Sequence, residues 1–270
     1  MGDPTLGPDG AFEEALAALG AGPAALSADE RRALDDAGHV LFRAAIDPAW
    51  LEALRADCDG SEGVTAQGGN QQLACLGERQ GAILRVLQWP RLLAAAWHVL
   101  RRPFALGAVA WRCPRPGLGQ QGLHMDWGPQ GDPGLFHVVT ALCYLDRAAP
   151  ENGATRLVPG SHKLRRRPPK DLADPASRHP EETTVQAEAG SLLVFNGHLW
   201  HAGTRNRSGA PRRALQCGFV AREHRGMPST LVEDAELLPA PARLVLGITV
   251  GITVGNHGGD HGVIGGPGVA

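Results

Sequence analysis

Apolar residues recur at helical spacing in three segments within the first hundred residues of this 270-residue chain. Ser27, followed three residues later by Glu30, forms a capping-box pattern and predicts a helix that runs to about Ala37 and ends at Gly38. Two further helices are predicted to begin at Asp47-Pro48 and at Pro90, because proline is favoured in the first turn. Their apolar faces are formed by Trp50, Leu51 and Leu54, and by Leu92, Leu93, Ala96, Trp97 and Leu100.

From about residue 105 the pattern changes to short runs of β-forming residues separated by turn residues. No helical periodicity lies between these runs, so a sandwich or jelly roll is favoured over a fold in which strands and helices alternate. The predicted strands are 104–111, 135–145, 155–158, 183–187, 191–195 and 214–220.

Two segments have an unusual composition. Residues 165–180 (RRRPPKDLADPASRHP) are basic, polar and proline-rich, which predicts a mobile loop that could serve as a lid. After Pro239 the chain is rich in glycine and contains the repeat 247-GITVGITVG-255, which predicts a disordered or loosely docked tail. A metal-binding tail is the alternative, with His257, Asp260 and His261 as its ligands.

These patterns together predict a mainly β protein with flanking helices, organised as a single domain. An N-terminal helical region, residues 1–103, is expected to pack on a β core that spans residues 104–238. The glycine-rich tail spans residues 239–270.

The charge balance excludes some partners. The chain has 26 Lys and Arg against 28 Asp and Glu, so no long-range field would attract nucleic acid or an anionic membrane. No apolar run approaches the roughly 20 residues that cross a bilayer, and the first residues lack a signal-peptide pattern. Five scattered cysteines without a CxxC pair fit a reducing compartment. We expect a cytoplasmic protein that acts on a small molecule.

The stretch 121-QGLHMDWGPQ-130 holds the first candidate chemistry. On an extended chain successive side chains point to opposite faces, so His124 and Asp126 project to the same side. One imidazole and one carboxylate are two thirds of a metal site, although an HxD pair alone can equally be two unrelated polar residues.

A third ligand must come from a strand that returns beside the first. In 191-SLLVFNGHLWHAG-203 both His198 and His201 are candidates. Small residues follow His201 and leave room for a ligand, whereas His198 lies in an Asn-Gly turn and is predicted to be a surface residue. Two histidines and one carboxylate are typical of non-haem Fe(II) sites with open coordination positions.

The ordered motifs resemble the phytanoyl-CoA dioxygenase family of Fe(II)/2-oxoglutarate oxygenases over about residues 105–221. The resemblance rests on the HxD pair, then 151-ENGATRLVPGSHK-163 with its PGSH element, then 196-NGHLWHAG-203, and an arginine eleven positions after the second histidine. It implies a double-stranded β-helix, that is, a cupin-like jelly roll, with N-terminal helices at its side.

The resemblance makes His124, Asp126 and His201 the iron ligands and Arg212 the residue that binds the distal carboxylate of 2-oxoglutarate. The pattern of the strand supports Arg212 over Arg213, because Arg212 shares its face with small or polar residues and Arg213 with packing residues: Ala214, Gln216 and Gly218 on one face, Leu215, Cys217 and Phe219 on the other. Thr140 is either a hydroxyl partner of that carboxylate or an ordinary β-forming residue.

The implied activity uses Fe(II), 2-oxoglutarate and O2, releases succinate and CO2, and oxidises a C–H bond of a small metabolite, for example in natural-product biosynthesis. Hydroxylation is the default, and desaturation, epoxidation and ring formation use the same ligands. In related halogenases a small residue replaces the carboxylate, so Asp126 argues against halogenation. The candidate walls of the substrate pocket are Gln121, Trp127 and Trp200, with packing as the alternative role.

Two other classes of protein remain open at this point. A jelly-roll protein could hold a metal or a small acid without turnover, and a cupin-like zinc hydrolase could use the same three ligands. A hydrolase would have no use for Arg212. Two further histidines are expected to be structural, with His162 tying down the PGSH turn and His137 satisfied within an apolar strand.

Overall fold

The computed structural model describes residues 8–61, 70–73, 75–76, 80–129, 131–224 and 230–248. The helices are α1 (Pro8–Ala18), α2 (Ala28–Asp36), α3 (Pro48–Asp59), α4 (Gly81–Leu87), α5 (Pro90–Leu100) and α6 (Ala240–Leu246). The strands are β1 (His39–Phe42), β2 (Asn70–Gln72), β3 (Cys75–Leu76), β4 (Phe104–Arg112), β5 (Val138–Tyr144), β6 (Thr155–Leu157), β7 (Thr183–Thr184), β8 (Leu192–Asn196), β9 (His201–Gly203), β10 (Ala214–Ala221) and β11 (Leu231–Val232).

The larger sheet has six strands in the order β1-β8-β5-β10-β4-β2, and all its pairs are antiparallel. Side chains alternate along β10, so its two faces have different neighbours. Leu215, Cys217 and Phe219 point into the core that also contains the helices. Gln216 and Gly218 therefore point to the opposite face, which we call the inner face.

A smaller antiparallel sheet, in the order β7-β6-β9, covers the inner face. Leu142, Tyr144, Leu193 and Phe195 of the larger sheet share one buried cluster with Leu157 of β6 and Leu199, two residues before β9. The two sheets thus pack face to face, and helices cover the outer face of the larger one. This is the predicted arrangement of a β sandwich with flanking helices.

Local capping explains where the predicted helices begin. Ser27 Oγ accepts from the backbone N of Glu30, and the Glu30 carboxylate accepts from the backbone N of Ser27, so the capping box before α2 is formed. Asp47 accepts from the backbone N of Trp50 at the start of α3. Pro90 occupies the first turn of α5. Each cap satisfies a backbone donor that the first turn leaves unpaired.

Several elements differ from the predictions. The first hundred residues contribute β1 to the larger sheet, paired with β8, and its four residues are too short to show a periodicity. Helices α1 and α4 were likewise not predicted. Helix α6 lies where a loose tail was expected, and its Ala242, Val245 and Leu246 are buried in the core. The candidate metal-binding tail, with His257, Asp260 and His261, lies outside the described residues.

The 165–180 insertion, predicted as a mobile loop, packs against the segment that carries the HxD pair. The backbone N of Leu123 donates to Leu172 O at 2.8 Å. A Cβ placed on Gly122 would lie 2.0 Å from Ala173 O, so only glycine permits so close an approach. Among the described residues, no helix has both the length and the apolar character needed to cross a bilayer.

His162 of the PGSH element is buried beneath α2, with 2% of its surface exposed. Its Nε2 lies 3.3 Å from Asp35 O, and its ring packs 5.6 Å from the ring of Phe136. A Cβ on Gly38, which has a φ of +80°, would lie 2.5 Å from His162 Nδ1. Burial lowers the pKa of His162 to about 4.

We expect the free energy of unfolding to fall as the pH is lowered from about 6.5 to about 4, because the unfolded chain takes up a proton on His162 that the folded chain resists. The slope from this one residue is at most roughly 1.4 kcal/mol per pH unit. Urea unfolding of the wild type and of His162→Gln across this window measures the difference. The variant should show the smaller slope. Equal slopes for His162→Gln and the wild type would contradict the expectation.

Candidate metal site

His124 and His201 lie opposite each other in an isolated antiparallel bridge. The backbone N of His124 donates to His201 O at 3.0 Å, and the backbone N of His201 donates to His124 O at 2.9 Å. Directly opposed residues of an antiparallel pair project their side chains to the same face. The two imidazole rings therefore lie side by side, with their centroids 4.4 Å apart.

Asp126 completes a three-ligand cluster. Its backbone N donates to Gly197 O at 2.8 Å, which fixes it beside the turn that leads to β9. Its Oδ1 lies 3.3 Å from His201 Nε2. One ligand atom from each of His124, Asp126 and His201 lies within 4.8 Å of the others. The structure thus brings together the three residues that the sequence selected.

Backbone carbonyls orient both imidazoles. His124 Nδ1 lies 3.0 Å from Gly122 O, and His201 Nδ1 lies 2.9 Å from Leu199 O. A carbonyl accepts only from a protonated nitrogen, so each ring carries its proton on Nδ1 and directs Nε2 towards the cluster. This is the tautomer in which Nε2 can bind a metal ion.

The electrostatics of the cluster favour a cation. Burial, assisted by the charge of His201, lowers the pKa of His124 to about 4, so this imidazole is neutral near neutral pH. Burial alone would lower the pKa of His201 and raise that of Asp126, but their mutual attraction outweighs it and shifts both pKa values the other way. Asp126 is therefore ionised, and His201 must release its proton when a metal ion binds.

Thr140 supports the carboxylate ligand. Its Oγ1 donates to Asp126 Oδ2 at 2.6 Å, and it lies on the inner face, opposite Phe195 of β8 and Gly218 of β10. This contact was not predicted; the role of Thr140 as a hydroxyl partner of the distal carboxylate of the co-substrate stays a prediction. The sequence could not show the contact, because it depends on how β5 lies against the HxD segment.

Arg212 is a buried cation with unused donors. Its side chain is 5% exposed, its Nη2 donates to Gly153 O at 2.9 Å, and its guanidinium lies 5.5 Å from the ring centroid of Tyr144. Among the described residues, nothing accepts a hydrogen bond from Nε or Nη1. A buried charge with unsatisfied donors is costly, and a carboxylate bound there would satisfy both.

Arg213 points to the other side, as the strand alternation predicts. Its surroundings are more polar than expected, because it forms ion pairs with Asp146 at 2.8 Å and with Asp59 at 2.7 Å. Its donors are thus used within the protein, in contrast to those of Arg212.

The three proposed pocket walls differ in position. Gln121 is exposed, and its Oε1 accepts from the backbone N of Gly203 at 2.9 Å. Trp127 is half-buried, with its ring centroid 5.6 Å from that of His137. Trp200 is fully buried, and its Nε1 donates to Arg166 O of the insertion at 3.1 Å. Trp200 therefore packs beneath the insertion, whereas Gln121 and Trp127 reach the surface.

His198 is not the surface residue that was predicted. It is 0% exposed, and its Nε2 accepts from the backbone N of His137 at 3.2 Å. The error arose because the Asn-Gly turn was taken as a surface feature, whereas Asn196 Oδ1 accepts from the backbone N of His198 and turns it inwards. Burial lowers the pKa of His198 to about 4.

A second cluster of possible ligands comprises His137, Glu223 and His224. Arg102 already occupies it, since its Nη2 lies 2.8 Å from His137 Nδ1 and its Nη1 lies 2.6 Å from Glu223 Oε1. A guanidinium that donates to a ligand atom opposes a metal ion at the same place. The contacts therefore explain this cluster as an ion pair between Arg102 and Glu223, beside the packed rings of His137 and His224.

The chain is similar in sequence to several known proteins. A sequence model of the phytanoyl-CoA dioxygenase (PhyH) family matches residues 34–214, more than half of the chain. An uncharacterized protein of Mycobacterium tuberculosis is 29% identical over 232 residues, which cover 78% of this chain and 82% of that protein. The dioxygenase trt7 of Aspergillus terreus is 30% identical over 177 residues, 59% of this chain and 58% of trt7.

Solved structures of HygX from Streptomyces hygroscopicus are similar in fold. The form with nickel and 2-oxoglutarate bound has a TM-score of 0.63 and 19% identity, and covers 73% of this chain and 88% of that chain. The form that also holds hygromycin B has a TM-score of 0.61 and 21% identity, with 80% and 95% covered. At this identity the likeness shows a shared fold, and it confirms the predicted jelly roll.

Replacement of Thr140 by Val should weaken metal binding by roughly 10- to 100-fold, because Asp126 loses the donor that orients it. Competition between the protein and a chromogenic chelator for Co(II) measures the affinity. Thr140→Ser retains the hydroxyl and should bind like the wild type. Thr183→Val, an exposed threonine in β7, controls for loss of a hydroxyl elsewhere. An unchanged affinity in folded Thr140→Val would show that this hydrogen bond does not orient the ligand.

Proposed function

Because the chain belongs to the phytanoyl-CoA dioxygenase family, we propose that it is an Fe(II)- and 2-oxoglutarate-dependent dioxygenase that hydroxylates a C–H bond of a small metabolite. The co-substrates would be 2-oxoglutarate and O2, and the co-products succinate and CO2. One observation carries the proposal: a three-ligand cluster and a buried guanidinium with unused donors occur in the same barrel.

The residues of the cluster fit iron. Two imidazole nitrogens and one carboxylate are the ligand set of non-haem Fe(II) oxygenases, and they leave positions open for a chelating acid and for O2. HygX, which has the same fold, was crystallised with nickel and 2-oxoglutarate and also with iron. When bound, iron and 2-oxoglutarate supply the oxidising chemistry, with O2 as the oxidant.

The chain's own residues would bind, orient and shield the reactants. His124, Asp126 and His201 would hold the metal from one side, and Thr140 would keep the carboxylate in place. Arg212 would bind the distal carboxylate through its unused Nε and Nη1. Charge-assisted hydrogen bonds of this kind contribute roughly 1.5–3 kcal/mol each, which is enough to select a diacid over a monoacid.

The insertion would keep water away from the site. It covers the back of the HxD segment through Leu172, which is buried against Trp200. Arg156, itself buried, links the insertion to the HxD segment by donating to Ser177 O at 2.7 Å and to Gln121 O at 2.9 Å. A dry site strengthens every electrostatic interaction within it. Gln121 and Trp127 remain the proposed contacts to substrate, and Trp200 is proposed as packing.

The known proteins support a natural product or a related small metabolite as substrate. HygX holds the small molecule hygromycin B in one of its structures, and trt7 is named as a dioxygenase. We extend this to the present chain as part of the proposal, with desaturation, epoxidation and ring formation as the alternative outcomes of the same chemistry.

Release of succinate from 2-oxoglutarate, measured with Fe(II) and ascorbate under air, tests the proposal. The wild type should form succinate slowly even without substrate. Arg212→Ala should raise the concentration of 2-oxoglutarate needed by at least roughly 100-fold, because two charge-assisted hydrogen bonds of about 1.5 kcal/mol or more each are lost. Arg207→Ala, which removes an exposed arginine, should have no effect.

A binding protein and a zinc hydrolase would each give a different result in the same experiment. Metal-loaded wild type that forms no succinate, with or without candidate metabolites, would indicate a binding protein. Hydrolytic activity that is indifferent to Arg212→Ala would indicate a zinc hydrolase.

A further inference from the structure

A second guanidinium, that of Arg112, lies on the inner face at the end of β4. Alternation along β4 puts Arg112 on the same face as Ala110, and Ala110 lies opposite Gln216 of β10. The Nε of Arg112 donates to Gln216 Oε1 at 2.6 Å. The side chain is half-buried, so Gln216 fixes this cation over the inner face instead of leaving it in solvent.

Most donors of Arg112 are unused. Among the described residues, no acceptor other than Gln216 Oε1 is bonded to this guanidinium and no carboxylate lies within ion-pair distance. Arg156 and Arg213 differ in this respect, since Arg156 pairs with Glu182 and Arg213 with Asp146. Burial lowers the pKa of Arg112, and the charge of Asp126 opposes this effect, so the direction reflects the cost of removing a cation from water.

The cation faces the metal cluster. Burial and the neighbouring residues of the cluster dominate the pKa values of His124 and His201, with a smaller influence from the charge of Arg112, and the charge of Asp126 opposes the effect of burial on the pKa of Arg112. The strand register agrees with this placement, because Gln216, which holds the guanidinium, lies two positions before Gly218, and Gly218 is opposite Thr140, the hydroxyl donor to Asp126.

The floor between Arg112 and the metal cluster is formed by small residues. Ala108 and Ala110 on β4 and Gly218 on β10 lie on the inner face, and Gly218 is opposite Thr140, which holds Asp126. A Cβ added to Gly218 would find no heavy atom closer than 3.8 Å. The fold therefore leaves space above this floor, with a cation at one end and the metal cluster at the other.

Neither carboxylate of the proposed co-substrate needs Arg112. The distal carboxylate is assigned to Arg212, which lies before β10 and has its own unused donors. The proximal carboxylate would bind the metal. We therefore assign an anionic group next to Arg112 to the molecule that is oxidised.

We propose that Arg112 is a specificity-determining residue whose terminal nitrogens bind a carboxylate of the primary substrate and so position a C–H bond over the metal. Gln216 is the positioning residue that holds the guanidinium. This inference rests on the proposed function, because it takes the three-ligand cluster and Arg212 as the sites of iron and 2-oxoglutarate. The substrate class is a small organic acid.

The test compares acids with neutral molecules of the same shape. Protein loaded with Fe(II) and saturating 2-oxoglutarate under nitrogen is titrated with benzoate and benzamide, and in parallel with phenylacetate and phenylacetamide. Saturating 2-oxoglutarate keeps Arg212 occupied. Binding is followed by tryptophan fluorescence and by the visible absorption of the loaded metal. The wild type should bind the better acid about tenfold more tightly than its amide, which corresponds to about 1.4 kcal/mol.

Two variants test the assignment independently. Arg112→Gln should bind acid and amide equally, and its titration with 2-oxoglutarate should match the wild type. Gln216→Glu keeps the shape of the side chain and places a carboxylate on Arg112, so it should also abolish the preference while the arginine remains. The exposed Arg207→Gln removes the same charge elsewhere and should keep the preference.

Each outcome decides between distinct conclusions. No preference for acids in the wild type, or a wild-type preference in Arg112→Gln or Gln216→Glu, overturns the assignment. Arg112→Gln could instead keep the acid preference and raise the dissociation constant of 2-oxoglutarate by more than about threefold. That result would show that Arg112 binds the co-substrate. Failure of the wild type to bind Fe(II) and 2-oxoglutarate would contradict the proposed function. The acid and amide titrations on metal-free protein would still report on Arg112.

Discussion

Two backbone hydrogen bonds between His124 and His201 set the geometry on which the rest of the site depends. They fix two chain segments, far apart in sequence, in the one register that puts both imidazoles on the same face. A shift of one residue in this register would turn one imidazole away from the other. Asp126 follows from the same constraint, because it lies two positions after His124 on an extended segment.

A bridge of one residue pair is weak by itself, and the surrounding structure supports it. The insertion pairs with Leu123 on one side, and Gly197 O accepts from the backbone of Asp126 on the other. Trp200, buried between the insertion and β9, fills the space behind the histidines. The close contact at Gly122 is part of the same support, since any side chain there would push the insertion away. The cluster of His124, Asp126 and His201 is thus held by packing that extends well beyond these three residues.

Charged side chains lie at the inner face of the larger sheet, and not all of them are paired with an opposite charge among the described residues. Asp126 is balanced by His201 and by the hydroxyl of Thr140. Arg212 and Arg112 are each buried or half-buried, and the described residues offer no carboxylate to either. Folded proteins tolerate such costs mainly where function requires them. The excess of positive charge next to the proposed metal ligands fits the proposal that organic acids bind beside a metal.

The sequence by itself determined the elements whose signals are local. The capping box before α2, the proline at the start of α5, the alternating strands and the common side of His124 and Asp126 all depend on residues within a few positions of each other. The order of the motifs also selected His201 and Arg212. Only the tertiary structure decided that Thr140 bonds to Asp126 and that His198 and Trp200 are buried. It also decided that the insertion packs against the HxD segment, that α6 joins the core, and that Arg112 lies on the inner face. These depend on which strands are neighbours and in what register. Register comes from packing over the whole barrel, and no local stretch of sequence contains that information.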